Sequence, residues 1–137
     1  MEEYMAMAIK ESLKANQKKN VPVGAIIVKN NKIIARAHNL KNSSGNTMDH
    51  AEIICIRRAN KKVGDWRLND CEMYVTLEPC DMCKEVIKAA RLNKVYFLSK
   101  RNTQVCKEQT KFIDASESLN ISDIKNKENL KKFFQKI

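Results

Sequence analysis

A chain of 137 residues, 43% hydrophobic with three Gly and two Pro, is sized for one compact domain (1–137) with a core of its own. It contains no run of 18 apolar residues, which argues against a membrane span, and its acidic start, Met1-Glu2-Glu3-Tyr4, lacks the basic-then-apolar build of a signal peptide. The formal charge of +10 suits a polyanionic partner such as RNA, and equally suits lysines scattered over a solvated surface. The expected location is the cytoplasm. There, five cysteines (Cys55, Cys71, Cys80, Cys83, Cys106) point to metal binding or burial instead of disulfides.

Residues 2 to about 18 predict an amphipathic helix, with Met5, Ala8, Ile9, Ser12 and Leu13 on one face. Val21 to Val28 is a nearly continuous apolar run suited to a buried strand. Asn30-Asn31 is a turn signal, and Ile33 to Ala37 completes a hairpin. Lys41 to Thr47 reads as a loop by composition. Asp49 is placed to cap the next helix in a capping-box pattern with Glu52, and Val63-Gly64-Asp65 ends that helix. Glu72 to Leu77 predicts a central strand. Pro79 suits the first turn of a further helix, and Val95 to Leu98 predicts a fourth strand. Beyond Lys100 the pattern weakens, with a helix over Thr103 to Ser118 and a short edge strand over Leu119 to Ile124 as expectations. Leu130, Phe133, Phe134 and Ile137 then mark a C-terminal amphipathic helix. Strands alternating with helices predict an α/β fold, a three-layer α-β-α sandwich around a mixed sheet of about five strands.

The chemistry concentrates in two short segments. Cys80 and Cys83, after Pro79, open a predicted helix, where i, i+3 spacing puts both sulfurs on one face and the positive helix end favours thiolates. Taken singly, Cys-x-x-Cys also fits a thioredoxin-like redox pair, Glu52 a capping box, and His50 a core histidine. Taken together, His50-x-Glu52 followed by Pro79-Cys80-x-x-Cys83 is the signature of zinc nucleobase deaminases. In that pattern His50, Cys80 and Cys83 are three ligands to one Zn²⁺ per subunit, with the fourth position open to water, and Glu52 is the acid/base that serves that water. Cys55, Cys71 and Cys106 read as structural, and His38 as packed or solvent-facing.

Several further segments accompany these: Val21-Pro22-Val23-Gly24-Ala25, Asn39, His50-Ala51-Glu52-Ile53, Asp65-Trp66-Arg67-Leu68, and Leu77-Glu78-Pro79-Cys80-Asp81-Met82-Cys83. With them, the chain over residues 1 to 98 resembles the cytidine-deaminase-like superfamily, and within it the bacterial tRNA-specific adenosine deaminases. The resemblance implies hydrolytic deamination of adenosine to inosine at the wobble position, with a tRNA anticodon loop as substrate and a homodimer as the assembly. It also implies that Asn39 and the Ala51 N–H contact the base, with Val21 and Pro22 near the pocket wall. Two positions depart from the usual pattern: Asp49 stands where Ala is common, and Leu98-Ser99-Lys100-Arg101-Asn102-Thr103 replaces an Arg-x-x-Lys-Thr-Gly-Ala-like loop. A deaminase of a free base, nucleoside or nucleotide, such as guanine or cytosine, shares the catalytic motifs. A zinc-stabilised RNA-binding subunit without activity is the reading from another class, and Glu52 speaks against it.

Overall fold

The computed structural model describes residues 2–100, which lie within one compact unit, Met1–Thr103. Its elements run α1 (Glu2–Gln17), β1 (Gly24–Lys29), β2 (Lys32–His38), α2 (Lys41–Ser44), α3 (Ala51–Val63), β3 (Cys71–Leu77), α4 (Asp81–Ala89) and β4 (Lys94–Ser99). The sheet order is β2-β1-β3-β4. β1 is antiparallel to both β2 and β3, and β3 is parallel to β4, so the sheet is mixed. The described residues contribute four strands. The edge strand expected over Leu119 to Ile124, the two helices expected after Thr103, and Cys106 lie outside them.

The predicted hairpin forms because Asn30 and Asn31 both take positive φ, 50° and 62°, the backbone of a tight turn whose twist matches the strands. A bulge between Ile27 and Val28 lets Ile34 and Ala35 both join the larger core. Alternation along the strands then divides the sheet into two faces. Ala25, Ile27, Ala37, Met73 and Val75 face a core shared with Ile54, Cys55 and Ala59 of α3 and Ile87 of α4. Ile26, Val28 and Tyr74 face the other way, against Tyr4, Met5 and Met7 of α1. The result is the expected three layers, one helix against one face and two against the other.

The buried face of α1 differs from the expected one. Ala8, Glu11, Ser12 and Ala15 are buried, while Ile9 and Leu13 are 40% and 55% exposed. The reason is backbone proximity to β1: a Cβ on Gly24 would collide with the Ala8 carbonyl oxygen, 2.5 Å from Ser12 N and 2.8 Å from Glu11 Cβ. Ala8, Ser12 and Ala15 fit under so close a crossing where Ile9 and Leu13 would not, so size overrides hydrophobicity in choosing most of the inward face. Glu11 is accommodated by its partners. His38 Nδ1 lies 2.8 Å from Glu11 Oε2, and Lys14 Nζ donates to Oε1 at 3.2 Å. Burial works to raise the Glu11 pKa, but these two partners outweigh it and hold the carboxyl below its ordinary value. His38 is therefore neither merely packed nor solvent-facing.

The Lys41–Thr47 segment expected as a loop contains the single helical turn α2, closed by Gly45 in the left-handed region (φ 70°) with its N–H on the Lys41 carbonyl. Among the described residues, no helix is long and apolar enough to cross a membrane. Gly24→Ala is expected to destabilise the fold by about 2 kcal/mol, an overpacking cost. A urea titration of the whole chain would read this as a lower midpoint at unchanged slope.

Candidate active site

β3 ends at Leu77, and the chain turns through Glu78-Pro79 into α4. The turn is held by the Glu78 N–H on the Ser99 carbonyl (2.8 Å) and by Lys84 Nζ on Glu78 Oε2 (3.1 Å). Pro79 stands one residue before the cap, not within the first helical turn. The N-cap itself is Cys80, in extended backbone (φ −68°, ψ 170°), and the N-cap of α3 is His50 (φ −72°, ψ 147°). Neither side chain caps its own helix. The capping box expected from Asp49 and Glu52 is not formed, because the helix begins one residue later than that pattern requires. Asp49 instead accepts from Leu40 N through its carbonyl (3.0 Å) and sets its carboxylate 3.8 Å from Arg57.

With both caps turned away from their helices, His50 Nδ1 lies 3.4 Å from Cys83 Sγ and 3.8 Å from Cys80 Sγ. The three ligand atoms lie within 4.8 Å of one another. Ligands at Zn–S ~2.3 Å and Zn–N ~2.0–2.1 Å on a tetrahedral ion stand about 3.6 Å apart, N to S, so the donor set fits zinc in chemistry and spacing. Three protein ligands leave the fourth tetrahedral position for a small molecule, the arrangement of a catalytic rather than a structural site.

The thiol chemistry departs from the expectation of a lowered pKa at a helix start. Burial, followed by the charges of Glu52 and Cys80, pushes the Cys83 thiol far up. Its deprotonation therefore depends on the cation it would bind. Glu52, two residues into α3, is 2% exposed and close enough to Cys83 to contribute to that shift.

The remaining expected residues fall at several places in the fold. Ala51 is fully buried and is the first residue of α3, where backbone N–H groups have no partner within the helix. Asn39 is 5% exposed, and its N–H reaches the Val23 carbonyl (3.0 Å), setting it beside the Val21–Val23 segment. Val21 itself is 48% exposed and Pro22 is exposed. Cys55 and Cys71 are buried as expected, Cys55 with its thiol 3.6 Å from the Ala25 carbonyl. Trp66 is exposed, with the Arg67 guanidinium 4.6 Å and that of Arg91 5.7 Å from its ring centre. Two groups near Asn39 were not anticipated, Glu11 and Asn20. Glu11 was visible as the charged member of the small-residue stripe 8, 11, 12, 15. Asn20 gave no signal beyond polarity.

A mixed sheet whose ends deliver a His/Cys/Cys set on two helix starts defines a zinc-binding α/β domain. Residues 1–99 match the family described as the cytidine and deoxycytidylate deaminase zinc-binding region, and the chain belongs to that family. It is 49% identical over 94 residues to a tRNA-specific adenosine deaminase of Bacillus subtilis, a match covering 69% of this chain and 58% of that protein. The chain thus spans less than two thirds of that relative's length. A solved structure from studies of A-to-I editing by tRNA:A34 deaminases at the wobble position of transfer RNA is 36% identical, with a TM-score of 0.71 over 72% of this chain and 76% of the other. A guanine deaminase structure from Bacillus subtilis is 26% identical, with a TM-score of 0.74 over 93% of both chains.

Zinc affinity is expected to follow the Cys83 proton. A raised pKa means the thiol holds its proton at neutral pH and must release it to bind metal. Cys80 must likewise bind as thiolate, so affinity should weaken as pH falls by up to about a hundredfold per unit, two thiol protons being released for each zinc bound. Competition titrations with a zinc chromophore between pH 6 and 8 would measure the slope. Cys83→Ser should abolish stoichiometric zinc at every pH in that range.

Proposed function

We propose that this chain is a zinc-dependent hydrolytic deaminase that converts adenosine to inosine at the wobble position of tRNA. The observation that carries the proposal is the buried Glu52 carboxyl at the start of the same helix that supplies His50, beside Cys83. A zinc site serving stability alone has no use for a buried acid there. The tRNA-specific adenosine deaminase similar to this chain supports the choice of substrate, and the +10 charge supports a polyanion.

In this reading His50, Cys80 and Cys83 hold the metal. When bound, zinc lowers the pKa of water at its open position toward ~7 and so supplies a nucleophile at neutral pH. Glu52 accepts a proton from the attacking water at its carboxylate. It delivers that proton to the ring nitrogen beside the amino-bearing carbon. It then takes the second proton from the hydroxyl now on that carbon and passes it to the amino group, which leaves as ammonia, so one water is consumed and one ammonia released. Asn39 and the Ala51 N–H hold the base edge, and Val21 and Pro22 form the rim. Because the ligands lie at partly buried helix starts, with Cys83 fully buried, the target nucleotide must be splayed out of its strand, as an anticodon loop allows. A homodimer in the cytoplasm completes the proposal.

A second reading, deamination of free guanine, is favoured by one observation: the guanine deaminase structure matches 93% of both chains. Ammonia release from an anticodon stem-loop with adenosine at the wobble position, beside free adenosine, guanine and cytosine, separates the two. Inosine formed only in the RNA is the expected result, and guanine turnover with the RNA untouched would replace the proposal. Glu52→Ala should retain one zinc per chain while turnover falls by more than the ~10²–10⁴-fold typical of a single general acid–base, since every transfer fails together. Substantial activity in that variant would remove Glu52 from the mechanism.

A further inference from the structure

Asn39 borders the base site, and its carboxamide is oriented from α2: Lys41 N donates to Asn39 Oδ1 at 2.9 Å. That bond occupies one lone pair of the oxygen and fixes the amide plane, leaving the N–H₂ as the group to donate to a ring acceptor. The orientation of Asn39 is therefore only as firm as the position of α2. None of Lys41–Ser44 is buried, and no side chain caps the turn. Apolar packing does not hold it.

A buried amide from another part of the chain does. Asn20, 4% exposed, spends both ends of its side chain on one residue of α2: Nδ2 donates to Ser43 Oγ at 2.7 Å and Oδ1 accepts from Ser43 N at 2.9 Å. Asn42 Nδ2 adds a bond to the Lys19 carbonyl at 3.1 Å. Asn20 directly precedes Val21 and Pro22, and Asn39 N already reaches Val23 O. The 20–23 segment, Asn39 and α2 are thus latched to one another through Asn20 and Ser43.

We infer that Asn20 is a positioning residue for deamination: it holds α2, and through the Lys41 N–H it holds the Asn39 carboxamide in register with the base. The inference rests on the base lying against Asn39, as in the proposed function, and holds for adenosine in RNA or for guanine, since both present ring acceptors.

The test is steady-state kinetics on whichever of these two substrates the wild-type zinc protein turns over. Asn20→Leu, which removes both bonds, should raise KM about tenfold with kcat and zinc content near wild type. Asn20→Asp should stay within about twofold, because its carboxylate accepts from both Ser43 N and Ser43 Oγ–H. In an Asn39→Ala background, Asn20→Leu should cost nothing further in kcat/KM. Equal losses from Asn20→Leu in both backgrounds, or an unchanged KM, would overturn the inference. If Asn20→Leu does not fold, Ser43→Ala, at an exposed position, should still raise KM about threefold in the wild-type background and not at all with Asn39→Ala; an unchanged KM in the wild-type background again overturns it. If the wild type turns over neither substrate, the proposed function fails instead. Amide exchange at Lys41 then decides the latch: at least tenfold faster exchange in Asn20→Leu supports it, and an unchanged rate overturns it.

Discussion

Two helices that begin at the same point set the terms for everything else in this molecule. α3 and α4 both direct their N-termini at the space between His50, Cys80 and Cys83, and both place a ligand at the cap position. Helix starts carry partial positive charge and favour anions, so a bare dication there is unfavourable. Thiolates resolve the conflict by standing between the helix ends and the metal. The same thiolates are costly without it, since burial drives the Cys83 thiol toward its neutral form. Metal, deprotonated sulfur and helix ends are each tolerable only with the other two.

The sheet makes this convergence reproducible. β3 lies in the middle, antiparallel to β1 and parallel to β4, so its C-terminal end delivers Cys80 beside the helix that follows the hairpin. The core between sheet and helices, from Ala25 and Ile27 to Ile54, Cys55 and Ile87, fixes the separation of α3 from α4. The opposite face has a different task. There α1 crosses β1 at backbone contact over Gly24, and the Glu11–His38 pair ties that helix to the residue preceding Asn39. The layer remote from the metal thereby reaches the end of β2 next to Asn39. The surface ion pairs, such as Lys88 with Glu85, are largely exposed and add little, since such pairs are worth ~0–1 kcal/mol.

Much of this was legible in the chain before any coordinates. The strands, the Asn30-Asn31 turn, the Gly64 stop of α3 (φ 76°) and the buried Cys55 and Cys71 all follow from local chemistry, because turns, stops and apolar runs depend on near neighbours. The departures share a cause. Hydrophobicity points Ile9 and Leu13 inward on α1, yet the close crossing over Gly24 favours Ala8, Ser12 and Ala15 there. The capping box at Asp49 was locally sound, but the cap position went to His50 and its side chain to the metal set. The polar residues of α2 carry no periodicity and predict a loop; hydrogen bonds with Asn20 and the Lys19 carbonyl hold it as a helical turn.

By itself, the sequence determined the donor set: a His-x-Glu and a Pro-Cys-x-x-Cys at predicted helix starts name the residues able to hold a zinc ion and the carboxyl beside them, since donor chemistry is a property of residue type and spacing. Tertiary structure alone decided how those atoms are held. That His50 Nδ1 comes within 3.4 Å of a sulfur 33 residues away, that Cys83 is buried enough to resist ionisation, and that Asn39 is oriented through Ser43 by Asn20 all depend on contacts between distant segments. Local pattern does not encode such contacts, because burial and register are set only when the sheet pairs and its helices pack against it.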